Sequence, residues 1–188
     1  MHTWDHSELG QFKFGEYEGW LGAVSLPLFR KFTYRAKEDP SASIQLRFDA
    51  YEPDETPSEE MIQVALATVA NHEQLVATGL KVLHDDFHGR GADSGMWWTD
   101  DVDHILEILG DRYSKDVLDS PPGLYRLLGC PSIDVQETGY GYDKPCAIIG
   151  FESEIDIEHG IGLLTDGKQI IGSGYRCDAG AFPEFATS

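Results

Sequence analysis

Positive charge is scarce in this chain. Fourteen Lys and Arg stand against 33 Asp and Glu in 188 residues, a formal net charge of −19 with neutral His and a pI near 4.5. A field of that sign repels phosphate backbones and anionic headgroups. It excludes nucleic acid and membrane surfaces as expected partners and leaves a basic protein as the complementary one. Cysteine is scarce as well: Cys130, Cys146 and Cys177 are odd in number, widely spaced and form no Cys-x-x-Cys pair. That pattern excludes a disulfide scaffold and suits reduced thiols in a cytoplasmic protein, with Cys130 and Cys146 expected as buried thiols. No apolar run approaches the ~18 residues of a membrane span. The start, Met1-His2-Thr3-Trp4-Asp5, has neither a basic nor an apolar signal region.

Common catalytic signatures are missing too. There is no Gly-x-Ser-x-Gly elbow. The glycine-rich run His88–Gly95 follows a helical pattern rather than a strand, so neither a phosphate loop nor a dinucleotide fingerprint fits, and no cofactor is expected. His84 and His88 have the i, i+4 spacing that can present two imidazoles to zinc, but Asp85 stands where a zincin has Glu. No third ligand is indicated, and no metal is expected.

What is present suffices for a core: 41% of residues are hydrophobic and 11% aromatic, which excludes wholesale disorder. One domain over residues 1–188 is expected at this length. Tyr17, Trp20, Leu21, Val24 and Leu26 suit strands broken by glycines. After a polar break at Lys37–Ser41, Ile44–Phe48 alternates like a strand with one solvated face. Thr56-Pro57-Ser58-Glu59 reads as a capping box with Thr56 at the N-cap, opening a helix from Pro57 to Asp86 with a bend expected near Gly79. Thr99 is expected to cap a second helix carrying Val102, Ile105, Leu106 and Leu109, and Ser120-Pro121-Pro122 a short third. From Pro131 the period becomes two, and Asp166-Gly167 between β-prone runs signals a type I′ hairpin. The fold class is α+β: a mainly antiparallel sheet with a long central helix and one or two shorter helices packed on it.

Two constellations could carry function. Asp156, Glu158 and His159 belong to a run with four carboxylates and an imidazole in eight residues, Glu152–His159. Glu154, Asp156 and Glu158 could share one face of a strand and offer oxygen ligands to a hard cation, with His159 as a nitrogen ligand or general base. Alternatively, the run forms a solvated acidic face at a turn while Ile155, Ile157 and Ile161 pack inward. In the second case His159 bonds the main chain or a nearby carboxylate. Trp97-Trp98 is either an exposed anchor for a partner or a cover over the core beneath a loop.

The stretch Asp156-Ile157-Glu158-His159-Gly160-Ile161-Gly162, followed by a short turn and Ile170-Ile171-Gly172-Ser173-Gly174, resembles the ending of a family of bacterial domains of unknown function. Their motif is Asp-x-Glu-His-Gly-(Leu/Ile)-Gly. Trp20 and Asn71 are counterparts of a family Trp in an early strand and an Asn in a central helix. Ile155 stands where the family often has Trp. The resemblance implies an α+β fold and, by analogy with small acidic bacterial proteins, an immunity-like or regulatory role. The expected function is therefore a non-enzymatic protein-binding module facing a basic partner, with a homodimer as a further possibility. The alternative is a metal-dependent hydrolase using Asp156, Glu158 and His159.

Overall fold

The computed structural model describes residues 2–35, 43–91 and 93–187. The break read at Lys37–Ser41 lies outside the described residues. One nine-stranded sheet runs in sequence order: β1 (Thr3–His6), β2 (Gly10–Gly15), β3 (Gly19–Ser25), β4 (Ser43–Phe48), β5 (Leu128–Gln136), β6 (Cys146–Ser153), β7 (Ile161–Thr165), β8 (Ile170–Gly174) and β9 (Ala179–Ala181). Every neighbouring pair is antiparallel except β4 and β5. A parallel pair needs a long crossover, and here it holds α1 (Glu59–Phe87), α2 (Val102–Leu109) and several 3-10 turns. The α+β reading holds, with the sheet as the dominant element. Among the described residues no helix is long and apolar enough to cross a membrane.

Helix α1 buries Met61, Ala65, Thr68, Leu75, Val76, Leu80, Leu83 and Phe87, the i, i+3, i+4 stripe of a core-facing helix. It lies on the sheet face bearing Leu46, Phe48, Ile133, Val135, Ile149 and Leu163, all at or near zero exposure. Further out, that same face carries Trp4, Phe12, Trp20 and Phe48, whose rings meet edge to face or tilted. The opposite, open face is apolar only toward β9. There Cys146, Ile148, Leu164 and Ile171 pack under Tyr142, Ala181 and Phe185.

Several local details differ from expectation. The α1 N-cap is Ser58, not Thr56: Ser58 is extended and its Oγ accepts the Met61 N–H at 3.2 Å. Starting there puts Glu59 and Glu60 in the first turn, where the dipole favours carboxylates. Ser58→Ala is expected to cost ~1 kcal/mol in a chemical melt, while Thr56→Ala leaves the midpoint unchanged. Asp101, not Thr99, caps α2, because Asp100 has φ +56° and cannot join a helix. Gly79 does not interrupt α1. A Cβ there would lie 2.2 Å from Leu163 Cδ1, so the glycine admits a close helix–sheet contact.

The β7–β8 connection is not type I′, which needs positive φ at two residues. Only Gly167 has it (+87°), in a four-residue loop where Asp166 Oδ1 accepts the Lys168 and Gln169 N–H groups. Asn71 Nδ2 on α1 donates to the Gly167 carbonyl at 2.9 Å, and a Cβ on Gly167 would stand 2.8 Å from Ala67 Cβ. Gly167→Val should therefore destabilise by more than ~1 kcal/mol, from the left-handed backbone and from collision with α1. An unchanged melting midpoint would contradict this.

Candidate functional site

The carboxylate of Asp86, at the C-terminal end of α1, has no exposure at all. Four donors satisfy it. Ser94 N–H (3.2 Å) and Thr99 Oγ1 (2.9 Å) reach Oδ1, while Ser94 Oγ (2.6 Å) and Trp98 Nε1 (3.0 Å) reach Oδ2. This knot ties the glycine-rich loop to the helix that precedes it and presents the two tryptophans in opposite roles. Trp98 is fully buried, edge-on to Phe87 and Tyr175, which leaves it no surface for a partner. Its indole N–H needed a buried acceptor, and Asp86 is that acceptor. Trp97 is half-buried and donates Nε1–H to Asp156 Oδ2 at 3.0 Å.

The two sequence constellations thus meet. Residues 154–160 form a turn after β6, and Asp156 organises it. Its Oδ1 accepts the backbone N–H groups of Glu158 (3.2 Å) and His159 (2.9 Å) and the His159 imidazole Nδ1–H (3.1 Å). The imidazole lies tilted against the Tyr175 ring, centroids 4.6 Å apart. Ile155 packs inward but Ile157 does not: it is 62% exposed, because the turn rotates it away from the sheet. Glu154 is buried and ion-paired with Arg112 rather than part of a solvated face.

Burial works to raise the Asp156 pKa, but the bonds from Trp97 and from the His159 backbone and imidazole outweigh it and hold the carboxyl below its ordinary 3.8. A depressed folded-state pKa contributes stability that is present above about 3.8 and lost as pH falls through the lower folded value. Acid melts should accordingly show Asp156→Asn reducing the stability gap between pH 7 and pH 3. An unchanged gap would show that Asp156 is not linked to folding.

Beside this turn, a trough of about 490 Å³ crosses the open face of the sheet. Gln45 and Arg47 on β4 stand opposite Ser132 and Asp134 on β5. A chain of bonds runs across it: Arg176 Nη2 donates to Ser132 Oγ (3.2 Å), Ser132 Oγ to Asp134 Oδ2 (3.0 Å), and Arg47 Nε to Asp134 Oδ1 (2.6 Å). At one end Arg35 pairs with Glu152 at 3.6 Å. Three of the chain's seven arginines therefore line one hollow. His159 and Glu158 stand on its wall.

The thiols are free. Cys146 is buried, and that burial pushes it up to about 11. Cys130 is exposed, contrary to expectation, because it sits in a β5 bulge with φ +45° that turns it outward. Burial first and the neighbouring Glu152 carboxylate second raise its pKa, so it is a poor nucleophile. His84 near the end of α1 is buried with its ring 4.3 Å from that of His88 at the helix C-cap, whose Nδ1–H donates to the His84 carbonyl. Among the described residues no group of three or more His, Cys, Asp or Glu could hold a metal ion.

A second region stands at one end of the sheet. Gly19 in the β2–β3 hairpin abuts Phe48 and Ala50, and Asp49 N–H donates to the Val135 carbonyl at 2.9 Å. These contacts gather three segments, residues 15–20, 49–60 and 136–138, which hold nine Asp and Glu and no Lys or Arg. Tyr17 (91% exposed) and Tyr51 (82%) project from them. The Tyr51 loop is tied to itself: Glu55 Oε2 accepts the Tyr51 and Glu52 N–H groups, and Trp20 Nε1 donates to the Glu55 carbonyl at 2.7 Å. A hollow of about 430 Å³ opens there, walled by Asp49, Tyr51, Glu55 and Glu137 and by no cationic side chain.

Sequence reading located Asp156, Glu158, His159 and both tryptophans but missed the trough and the acidic end. The alternation Gln45–Arg47 was a usable signal for the trough, since it placed Arg47 on the face away from the core. No family model, curated protein or solved structure matches the chain.

Proposed function

We propose that this chain is a non-enzymatic protein-binding module whose acidic end docks a Lys- and Arg-rich surface of a partner protein. The observation that carries the reading is the gathering of nine carboxylates and two exposed tyrosines, without one Lys or Arg, from three separate segments. Carboxylates steer a cationic partner and fix its register, while tyrosines supply contact area at low entropic cost. The self-tied Tyr51 loop lowers the ordering cost of binding. An immunity-like or regulatory role is of this kind.

A synthetic Lys/Arg-rich peptide is the direct probe. It should bind with an affinity that falls as salt rises. Glu16→Lys, Asp54→Lys and Glu60→Lys together should abolish binding. Glu73→Lys, Asp119→Lys and Glu184→Lys change the net charge equally at other sites and should preserve most of it. Equal losses in the two triple variants would show that only overall charge matters and would sink the reading.

One observation favours the hydrolase alternative. Asp156 orients the His159 imidazole through Nδ1, leaving Nε2 to face outward as a general base would. Against it, no hydroxyl or thiol of a described residue hydrogen-bonds that Nε2, and both Asp156 oxygens are already occupied in holding the turn.

A further inference from the structure

The trough on the open face differs from the acidic end in its balance of donors and acceptors. On its floor the Asp134 carboxylate is used up. Asp134 takes Arg47 on one oxygen and Ser132 on the other. Donors remain: no described residue hydrogen-bonds either Nη of Arg47, and Arg176 commits only one Nη, to Ser132. Both guanidiniums are held in place. Arg47 is fixed by a cross-strand pair in register, and Ser132, its relay to Arg176, is 2% exposed. Arg176 lies across Gly150, where a Cβ would stand 2.7 Å from its Cγ and 3.3 Å from its Nε. The missing side chain of Gly150 is the space Arg176 fills.

On the wall the order is reversed. Glu158 and Glu18 line the trough, and neither carboxylate has a hydrogen-bond or ion-pair partner among the described residues. A guanidinium fork recognises a carboxylate, and an unpaired carboxylate recognises an ammonium. The volume of about 490 Å³ is in the range of small-molecule sites.

We infer that the trough binds a small zwitterion of the α-amino-acid class, its carboxylate on Arg47 and Arg176 and its ammonium toward the Glu158 and Glu18 wall. Placing a free carboxylate on the floor offsets the charge of Arg176, which has no ion-pair partner among the described residues, and uses the Nη donors that the Asp134 pair leaves free on Arg47. A bare dianion is disfavoured by the wall and by the net charge of −19. The inference shares Glu18 with the acidic end, but Glu16, Asp54 and Glu60, the residues changed to test that reading, lie outside the trough.

Titration calorimetry on the whole chain tests it, with the common α-amino acids singly, and with acetate, methylammonium and inorganic phosphate as partial probes. At least one amino acid should bind with a Kd below about 1 mM. Acetate should bind more weakly and methylammonium not measurably. Arg176→Lys keeps the charge but loses the fork, and should weaken amino-acid and acetate binding more than tenfold. Glu18→Gln with Glu158→Gln should weaken amino-acid binding and leave acetate binding unchanged, a split that general unfolding cannot produce. Thermal melts of each variant confirm folding. Saturation by no amino acid, tighter binding of phosphate than of any amino acid, or an amino-acid affinity untouched by Arg176→Lys would each overturn the inference.

Discussion

Asp86→Ala is expected to lower the stability of this protein by ~3–5 kcal/mol, the largest effect of any single polar substitution proposed for it. The carboxylate is completely buried, and its removal strands four donors at once: the Ser94 amide and hydroxyl, the Thr99 hydroxyl and the Trp98 indole. A hydrogen bond to a charged group contributes ~1.5–3 kcal/mol, and a stranded buried donor adds its own desolvation cost. Trp98 would lose the bond that fixes its orientation between Phe87 and Tyr175. Trp97, next in chain, would lose its position over Asp156. Urea melts followed by tryptophan fluorescence should show the drop together with a changed native spectrum, and a fall in melting temperature of roughly 10 °C accompanies it. Ser94→Ala removes only part of the knot and should cost less. A change under ~1 kcal/mol for Asp86→Ala would mean that the loop is held by other contacts.

The second large effect is expected at Gly129. A Cβ there would stand 1.7 Å from the Tyr34 carbonyl oxygen and 2.7 Å from its carbon. Because the obstacle is backbone, no rotamer change relieves it. That backbone is itself fastened, with Tyr34 N–H donating to the Leu128 carbonyl at 3.1 Å and Thr33 N–H to that of Tyr125 at 2.9 Å. Gly129→Ala should therefore destabilise by ~3 kcal/mol, at the upper end of overpacking costs. Two of the three described non-glycine residues with positive φ, Arg35 and Cys130, flank this crossing. Backbone strain of that kind persists only where surrounding structure enforces it. The substitution should thus also displace Arg35 from Glu152 at the end of the trough. Amino-acid binding should weaken even in the fraction that remains folded. A wild-type melting curve would show that β5 and the Tyr34 turn can part at no cost.

Much of the architecture was legible because it rests on local periodicity. The stripe from Met61 to Phe87 could only be a helix with one buried face, and the alternation in Ile44–Phe48 could only be a strand with one polar face. Cap positions and turn types were less legible. Thr56, Ser58, Thr99 and Asp101 are all competent caps by chemistry, and the choice between neighbours falls to tertiary commitments. Thr99 is drawn away by Asp86, for example. The Asp166-Gly167 loop likewise departs from type I′ where Gly167 meets Asn71 and Ala67 of α1.

The candidate sites divide along the same line. Asp156, Glu158 and His159 are close in sequence, so their clustering was visible, and so was the expectation that His159 bonds a nearby carboxylate. The partners that define them were not. Trp97 reaches Asp156 across 59 residues, Arg47 meets Asp134 across 87, and Arg176 meets Ser132 across 44. By itself the sequence determined the charge of −19 and the helix and strand periods. Only the tertiary structure decided which polar residues face one another, because pairing β4 with β5 in parallel register brings together side chains that no local period relates. The same crossover sends α1 over one face of the sheet, and the trough lies on the other.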